Sequence, residues 1–194
     1  MFRACLVKPN IFSQQTVIFM YNRGVNRQKI FFEDDNYNFF LQRLNDYLPS
    51  SHVSIIAYCL MPSHFHLIIH QLEAEAISKY IGRVCKSYVR AINKRFDRTG
   101  HLFEGKYKLK HIDEVSYLLH LSRYIHLNPI RAKLVEKGEM WIYSSYRAFL
   151  RLESMSVTIH PQIVLQEFKN PFNYKEFVES YTPRDRNKIA NFLF

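Results

Sequence analysis

Two histidines separated by one residue, His64 and His66, have the spacing in this sequence that points most directly to chemistry. The apolar, partly β-branched run Leu67-Ile-Ile69 that follows them predicts a strand over residues 64–70. Residues two apart in a strand share a face, so both imidazoles would project together while Phe65 points to the opposite face. Two imidazoles placed in this way can bind one divalent cation, with a third ligand from elsewhere in the chain.

The His-x-His pattern is weak evidence for a metal site when taken alone. The chain has 9 histidines among 194 residues, and at that frequency about 0.4 chance occurrences of the pattern are expected. Two strand histidines that form hydrogen bonds at the edge of a core would explain the pattern equally well. Other groups must therefore distinguish a metal site from a structural pair.

A helix predicted to begin near Asp113 supplies such groups. Asp113 is suited to cap the helix, and Glu114 favours the positive end of its dipole. The apolar stripe expected to be buried consists of Val115, Leu118, Leu119, Ser122 and Ile125. A separate face carries Tyr117, His120, Tyr124 and Asn128. Because Pro129 disfavours helical geometry at the residue before it, the helix is expected to end at Asn128, where the amide and Tyr124 could reach one ion together.

Five stretches lie in order over about residues 16–150. They are Asn22-Arg-Gly-Val-Asn-Arg27, Met61-Pro-Ser-His-Phe-His66, Gly100-His-Leu-Phe-Glu-Gly-Lys106, Arg123-Tyr-Ile-His-Leu-Asn-Pro129 and Trp141-Ile-Tyr-Ser-Ser-Tyr146. Together they resemble the HUH single-tyrosine transposases, and within them the REP-associated tyrosine transposases. The resemblance implies that His64 and His66 bind a divalent metal ion, Mg²⁺ or Mn²⁺, and that Tyr124 is the nucleophile. It also implies that Asn128 stands where the family places an amide-type ligand, directly or through a water molecule.

The resemblance implies a metal-dependent, site-specific cleavage of single-stranded or hairpin DNA. Tyr124 would attack phosphorus, release a 3′-hydroxyl and leave a 5′-phosphotyrosine bond that a second 3′-hydroxyl can reverse. A phenol has a pKa near 10, so His120, one turn earlier, is a candidate helper in removing the proton, or else a surface histidine. Tyr124 follows the histidines, whereas in conjugative relaxases the tyrosine precedes them. The alternatives are a hairpin-DNA-binding protein without catalysis and a metal-dependent hydrolase that uses water.

Positive charge is concentrated in residues 79–110, where ten lysines and arginines oppose Asp97 and Glu104 in a chain of net charge +10. The helix predicted over about 75–96 bears a basic stripe made of Lys79, Arg83, Lys86, Arg90 and Lys94. Three further lysines alternate along a predicted strand, namely Lys106, Lys108 and Lys110. A stripe of one sign is typical of contact with nucleic acid, although solubilising charge would also produce it. Arg23 and Arg131, in or beside the five stretches, complete the predicted DNA contacts.

The apolar patterning predicts one main core. Strands are expected at about 16–22, 53–60, 64–70 and 106–112, and helices at about 34–48, 75–96 and 114–128. This order is that of a ferredoxin-like α+β sandwich, and the resemblance implies an HUH fold with the histidine strand central. Residues 1–150 are assigned to a catalytic domain and residues 151–194 to a C-terminal helical appendage, with short helices near 161–168 and 173–181.

The cysteines and the N-terminal segment bear on location. Cys5, Cys59 and Cys85 are isolated and odd in number, which argues against a zinc knuckle and a disulfide framework and favours a reducing cytoplasm. Polar residues interrupt the N-terminal segment, so neither secretion nor membrane spanning is expected. A DNA substrate would associate the protein with the nucleoid, as a monomer or a homodimer.

Overall fold

A four-stranded antiparallel sheet lies at the centre of the structure, a computed structural model that describes residues 16–152 and 157–190. Its strands are β1 (Thr16–Arg23), β2 (Val53–Met61), β3 (His64–Gln71) and β4 (Lys108–Ile112), arranged in the order β2-β3-β1-β4. Helix α1 (Asp34–Tyr47) follows β1, and α2 (Ala76–Arg95) follows β3. The predicted α+β sandwich with a central histidine strand is therefore confirmed.

Both faces of the sheet are covered, which explains why its inner strands, β3 and β1, are mostly buried. Helices α1 and α2 pack on one face, where Met20, Phe65 and Leu67 are buried. Helix α3 (Val115–Arg131) packs on the other face, over Val17 and Phe19. The side chain of Phe65 thus points away from α3, as its place in the strand predicts.

Two tyrosines fix α2 against the rest of its layer. The Tyr80 hydroxyl donates a hydrogen bond of 2.6 Å to the Leu44 carbonyl at the end of α1. The Tyr88 hydroxyl donates one of 2.5 Å to the Ile30 carbonyl in the segment before α1. Because the apolar face of α2 is held inward in this way, the basic stripe on its opposite side is exposed.

Helix α3 differs from the prediction at both ends. It begins at Val115, which is 37% exposed rather than buried, and its N-cap is Glu114, not Asp113. It continues through Pro129 to Arg131, although the proline has no N–H to donate to the Ile125 carbonyl. The Asn128 carbonyl still accepts a hydrogen bond of 2.9 Å from the Ala132 N–H.

Four short helices follow α3: α4 (Tyr146–Phe149), α5 (Gln162–Leu165), α6 (Pro171–Glu179) and α7 (Pro183–Asn187). The helices predicted near 161–168 and 173–181 correspond to α5 and α6, while α4 and α7 were not predicted. Six side chains from this part join the core beneath α3, namely Tyr146, Phe149, Val164, Tyr174, Val178 and Ile189. The assignment of residues 151–194 to a separate appendage stays a prediction.

Within the described residues, no helix is both long and apolar enough to cross a membrane. Cys59 and Cys85 are free thiols. Cys5 and the N-terminal segment, on which part of the expected location rests, lie outside the described residues.

Candidate active site

The strand register gathers polar side chains at one end of the sheet face that α3 covers. β3 pairs with β1 so that His66 lies opposite Tyr21, and His64 lies opposite Arg23. Tyr21 is in turn opposite Lys108 of β4. Residues directly opposed in an antiparallel pair share a face, so these five side chains form one polar group.

The two histidine rings lie side by side. Their centroids are 4.9 Å apart, and the ring of His66 stacks on Phe19 at 5.5 Å. Burial, reinforced by Arg23, lowers the pKa of His64 to about 4, and burial also lowers the pKa of the fully enclosed His66 far below its usual value. Both imidazoles are therefore neutral at pH 7, the form in which they bind metal ions.

Helix α3 carries Tyr124 to these histidines. The ring centroids of Tyr124 and His66 are 5.7 Å apart, and the rings are inclined at 77°. Burial raises the pKa of the half-buried Tyr124 hydroxyl, while the charges of Arg131 and Arg186 and the side chain of Asn128 oppose that rise. The predicted residues are thus linked by successive contacts, of His64 with His66, of His66 with Tyr124 and of Tyr124 with Asn128.

A cleft of about 390 Å³ opens beside Tyr124. Its walls are Tyr124, Asn128, Arg131, Tyr181, Pro183 and Arg186. The Arg131 guanidinium carbon is 5.3 Å from the centroid of the Tyr124 ring and 4.1 Å from that of the Tyr181 ring. Tyr181 and Arg186 belong to the C-terminal segment, and neither was anticipated from the sequence.

His120, the candidate helper, is engaged with the C-terminal helices. Its Nδ1 lies 2.7 Å from Nη2 of Arg123, and its ring centroid is 5.7 Å from that of Phe177. Burial, followed by the positive charge of Arg123, lowers the pKa of His120. Its role as a proton acceptor for Tyr124 stays a prediction, and its contacts direct it towards α6 rather than into the cleft.

The cations predicted to contact DNA divide between the two sides of the molecule. The five residues of the α2 stripe are exposed in the layer across the sheet from Tyr124. On the Tyr124 side, a hollow of about 240 Å³ is lined by Tyr21, Asn22, Arg23, Glu104, Lys106 and Lys108. Lys110 pairs with Phe19 on β1, so its side chain lies on this side too.

Arg23 has a partner that was not predicted. It donates two hydrogen bonds to the Glu104 carboxylate, of 2.5 and 3.0 Å. A second hollow, of about 290 Å³, lies between Arg23, Arg27, Ser63 and His64. Arg23 therefore lines both pockets, of which the second also has His64 in its wall, and the Glu104 carboxylate already balances part of its charge.

The donors present define which metal ion the site could hold. Within residues 16–152 and 157–190, no three histidine, cysteine or carboxylate side chains are grouped as a metal site. The available donors are the neutral imidazoles of His64 and His66 and the amide of Asn128. Imidazole nitrogens favour transition-metal ions, while amide and phosphate oxygens suit Mg²⁺ and Mn²⁺. This mixed set of donors fits a divalent ion such as Mn²⁺ or Mg²⁺.

The sequence and fold match known proteins over most of the described chain. The family described as Transposase IS200 like matches residues 17–128, a span that includes both histidines, Tyr124 and Asn128. No curated protein matches this chain. Among solved structures, a REP-associated tyrosine transposase bound to a REP hairpin aligns with a TM-score of 0.60 at 16% identity, over 83% of this chain and 92% of that one. At this identity, the alignment shows a common fold.

Proposed function

This chain belongs to the IS200-like transposase family, and from that premise we propose that it cleaves and rejoins single-stranded DNA through Tyr124. The observation that carries the proposal is the contact between Tyr124 and His66, whose ring centroids are 5.7 Å apart. Cleavage of a phosphodiester requires a nucleophile and a source of positive charge at the same phosphate. Tyr124 lies where both requirements can be met.

The reaction proposed for Tyr124 is a transesterification, in which the DNA phosphate moves from a 3′-oxygen to the tyrosine oxygen. Its hydroxyl oxygen attacks phosphorus and loses its proton, and the bond from phosphorus to the 3′-oxygen breaks. The 3′-oxygen takes up a proton, and the 5′-phosphate stays bonded to Tyr124. A second 3′-hydroxyl can then attack the phosphotyrosine, restore the phenol and rejoin the strand. Since one phosphate ester replaces another at each step, rejoining needs no ATP.

We propose that His64, His66 and Asn128 hold Mg²⁺ or Mn²⁺ beside the nucleophile. When bound, the ion supplies positive charge to the non-bridging oxygens of the phosphodiester. Both imidazoles are kept neutral by burial, so metal binding does not compete with protonation at neutral pH. Asn128 lies one turn after Tyr124 on α3 and can act on the same phosphate.

The proposed substrate is a palindromic DNA hairpin with a single-stranded flank, bound by a protein of the REP-associated kind. The solved relative of the same fold is bound to a REP hairpin. On the Tyr124 side, the strand that enters the site would meet Arg23, Lys106, Lys108, Lys110 and Arg131. The α2 stripe lies across the sheet, so we assign it to phosphates farther from the cut. A DNA substrate would associate the protein with the nucleoid. The protein would act there as a monomer or a homodimer.

A strand-cleavage and rejoining assay tests the proposal. A labelled hairpin oligonucleotide is incubated with Mn²⁺, with Mg²⁺ or with a chelator, and Tyr124→Phe is compared with Tyr117→Phe on the same helix. We expect cleavage that needs the metal ion and Tyr124 but not Tyr117. Tight hairpin binding without cleavage by the wild type would support a DNA-binding protein without catalysis. Cleavage by Tyr124→Phe without any covalent product would support a hydrolase that uses water.

A further inference from the structure

The wall of the cleft facing Tyr124 lies beyond the residues that the family match covers. The match ends at residue 128, whereas Arg131, Tyr181 and Arg186 lie after it. We propose that Arg131 and Arg186 together clamp the phosphodiester that Tyr124 attacks, and that α7 is the element which supplies the second arginine. This inference rests on the proposed function, because it assigns the phosphate-binding groups of the same site.

The two arginines enter the cleft from different helices. Arg131 ends α3, and Arg186 is in α7, yet both line the same space of about 390 Å³ with the Tyr124 side chain. Neither forms an ion pair with a carboxylate in the part of the chain that the structure describes. Two guanidinium groups that converge without a counter-charge form a site for an anion, and their planar donors match phosphate oxygens in pairs.

Tyr181 positions one of the two arginines from the C-terminal side. Its hydroxyl group is enclosed by the protein, so the ring rather than the hydroxyl borders the cleft. The Tyr181 ring also lies 4.1 Å from the Arg131 guanidinium carbon, so stacking holds this arginine in place before the ligand arrives.

An ion pair next to Tyr124 positions α7. Asp185 accepts hydrogen bonds from the N–H and the hydroxyl of Thr182, of 2.8 and 2.9 Å, which cap the helix. Its other oxygen lies 2.8 Å from Nη2 of Arg123, a side chain only 3% exposed. Arg123 also donates a hydrogen bond of 3.0 Å to the Phe177 carbonyl. The Arg123–Asp185 ion pair therefore brings the next residues along each helix, Tyr124 and Arg186, to the same cleft. Arg123 and Asp185 are thus positioning residues.

Arg184 provides a matched control for Arg186. Both arginines are exposed residues of the same short helix, but Arg184 does not line the cleft. Arg186→Gln and Arg184→Gln remove the same charge from the same element. They change the net charge and the long-range attraction to DNA alike, so any difference between them reports on the cleft.

The test is a double-mutant cycle of DNA binding, which combines an arginine substitution with a neutral linkage in the DNA under conditions that prevent cleavage. Each arginine variant is made in a Tyr124→Phe background, and its affinity for a hairpin oligonucleotide with a single-stranded flank is measured by fluorescence anisotropy in a chelator. A neutral methylphosphonate then replaces the phosphate at each linkage of the flank in turn. We expect Arg186→Gln to weaken binding about tenfold for the native strand and less than about twofold when one particular linkage is neutral. Arg184→Gln should weaken binding equally for all strands.

Each outcome supports or overturns the proposed phosphate clamp, whether or not the protein cleaves DNA. Equal losses for Arg186→Gln and Arg184→Gln at every linkage would overturn the clamp, even if Tyr124 forms an adduct with DNA. Coupling between Arg186 and a single linkage would support the clamp, even if the wild-type protein failed to cleave. If the wild type does cleave, the coupled linkage should be the one that is cut. Coupling only at a distant linkage would overturn the assignment.

Discussion

The rings of Tyr124 and His66 stand nearly perpendicular, with their centroids 5.7 Å apart, at the point where α3 crosses β3. One residue belongs to a helix and the other to the central strand, so their distance is set by the packing of two rigid elements. A site built on rigid elements keeps its groups in register with one phosphate more closely than a loop can. The predictions below follow from this arrangement.

Removing either histidine should stop cleavage with little loss of DNA binding. We expect His64→Ala and His66→Ala to abolish metal-dependent cleavage, while hairpin affinity falls less than about tenfold because phosphate contacts supply most of it. His70→Ala is the control, since His70 lies on the same strand opposite Val17, at the far end of the sheet. Metal-independent cleavage by either of the first two variants would contradict the metal assignment.

The α2 stripe should contribute to affinity but not to the chemical step. Replacing Arg83, Lys86 and Arg90 together with Gln should weaken hairpin binding and reduce the dependence of log K on log salt by up to about three, since each phosphate contact releases about one counterion. Cleavage at saturating DNA should be unchanged, because α2 packs on the sheet face opposite Tyr124. An unaltered salt dependence would show that these side chains meet only solvent.

Acid should destabilise the protein partly through His126. This side chain is fully buried, with its ring nitrogens 2.8 Å from the Tyr174 hydroxyl and 2.9 Å from the Ser145 hydroxyl, and burial lowers its pKa to about 3. The unfolded chain binds the proton below about pH 6.5 and the folded chain only near pH 3. Between those values, each unit of falling pH therefore removes about 1.4 kcal/mol from the free energy of unfolding.

Urea unfolding across pH 4 to 7 measures this effect. His64 and His66 also have lowered pKa values, so the wild-type curve contains several contributions. The difference between the wild type and His126→Asn isolates the contribution of His126. The variant should be less stable at pH 7 and should lose less stability on acidification. Parallel curves for the two proteins would contradict the prediction.

Breaking the Arg123–Asp185 pair should release α7 from α3. Asp185→Asn leaves the buried Arg123 without its anion, and we expect the free energy of unfolding to fall by about 2 kcal/mol. Amide hydrogen exchange should quicken most in residues 182–189. Glu179→Gln is a suitable control, since the one ion pair of that carboxylate within residues 16–152 and 157–190 is with the partly exposed Lys175, at 3.7 Å. Unchanged exchange in α7 after Asp185→Asn would show that the pair does not hold the helix.

Much of the fold follows from local sequence patterns. The four strands, α1 and α2 were placed within about two residues of their observed bounds, because buried strands and amphipathic helices have distinct periodicities. The predicted end of α3 at Asn128 was wrong, since packing under the C-terminal segment holds the turn that contains Pro129. The start of α7 was readable in Thr182-Pro-Arg-Asp185, a capping residue followed by proline and an acidic third position.

The site was only partly accessible from sequence. His64 and His66 share a face by strand alternation alone, whereas their meeting with Tyr124 depends on how α3 crosses the sheet. The place of Arg186 in the site is harder still to predict from the sequence, because it depends on α7 folding back onto α3. The placement of His120 shows the same limit. Its ring contacts Arg123 and Phe177, and the contact with Phe177 forms only once α6 packs onto α3.

The most direct measurement of the central claim is the identity of the residue that becomes bonded to DNA. A hairpin strand labelled 3′ of the cut is incubated with protein and Mn²⁺, the product is resolved on a denaturing gel, and the modified peptide is identified by mass spectrometry. We predict that the label stays with the protein as a 5′-phosphotyrosine on Tyr124, and that Tyr124→Phe folds and binds the hairpin but gives neither adduct nor free 3′-hydroxyl product. An adduct that persists in Tyr124→Phe, on Tyr117 or any other residue, would contradict the account.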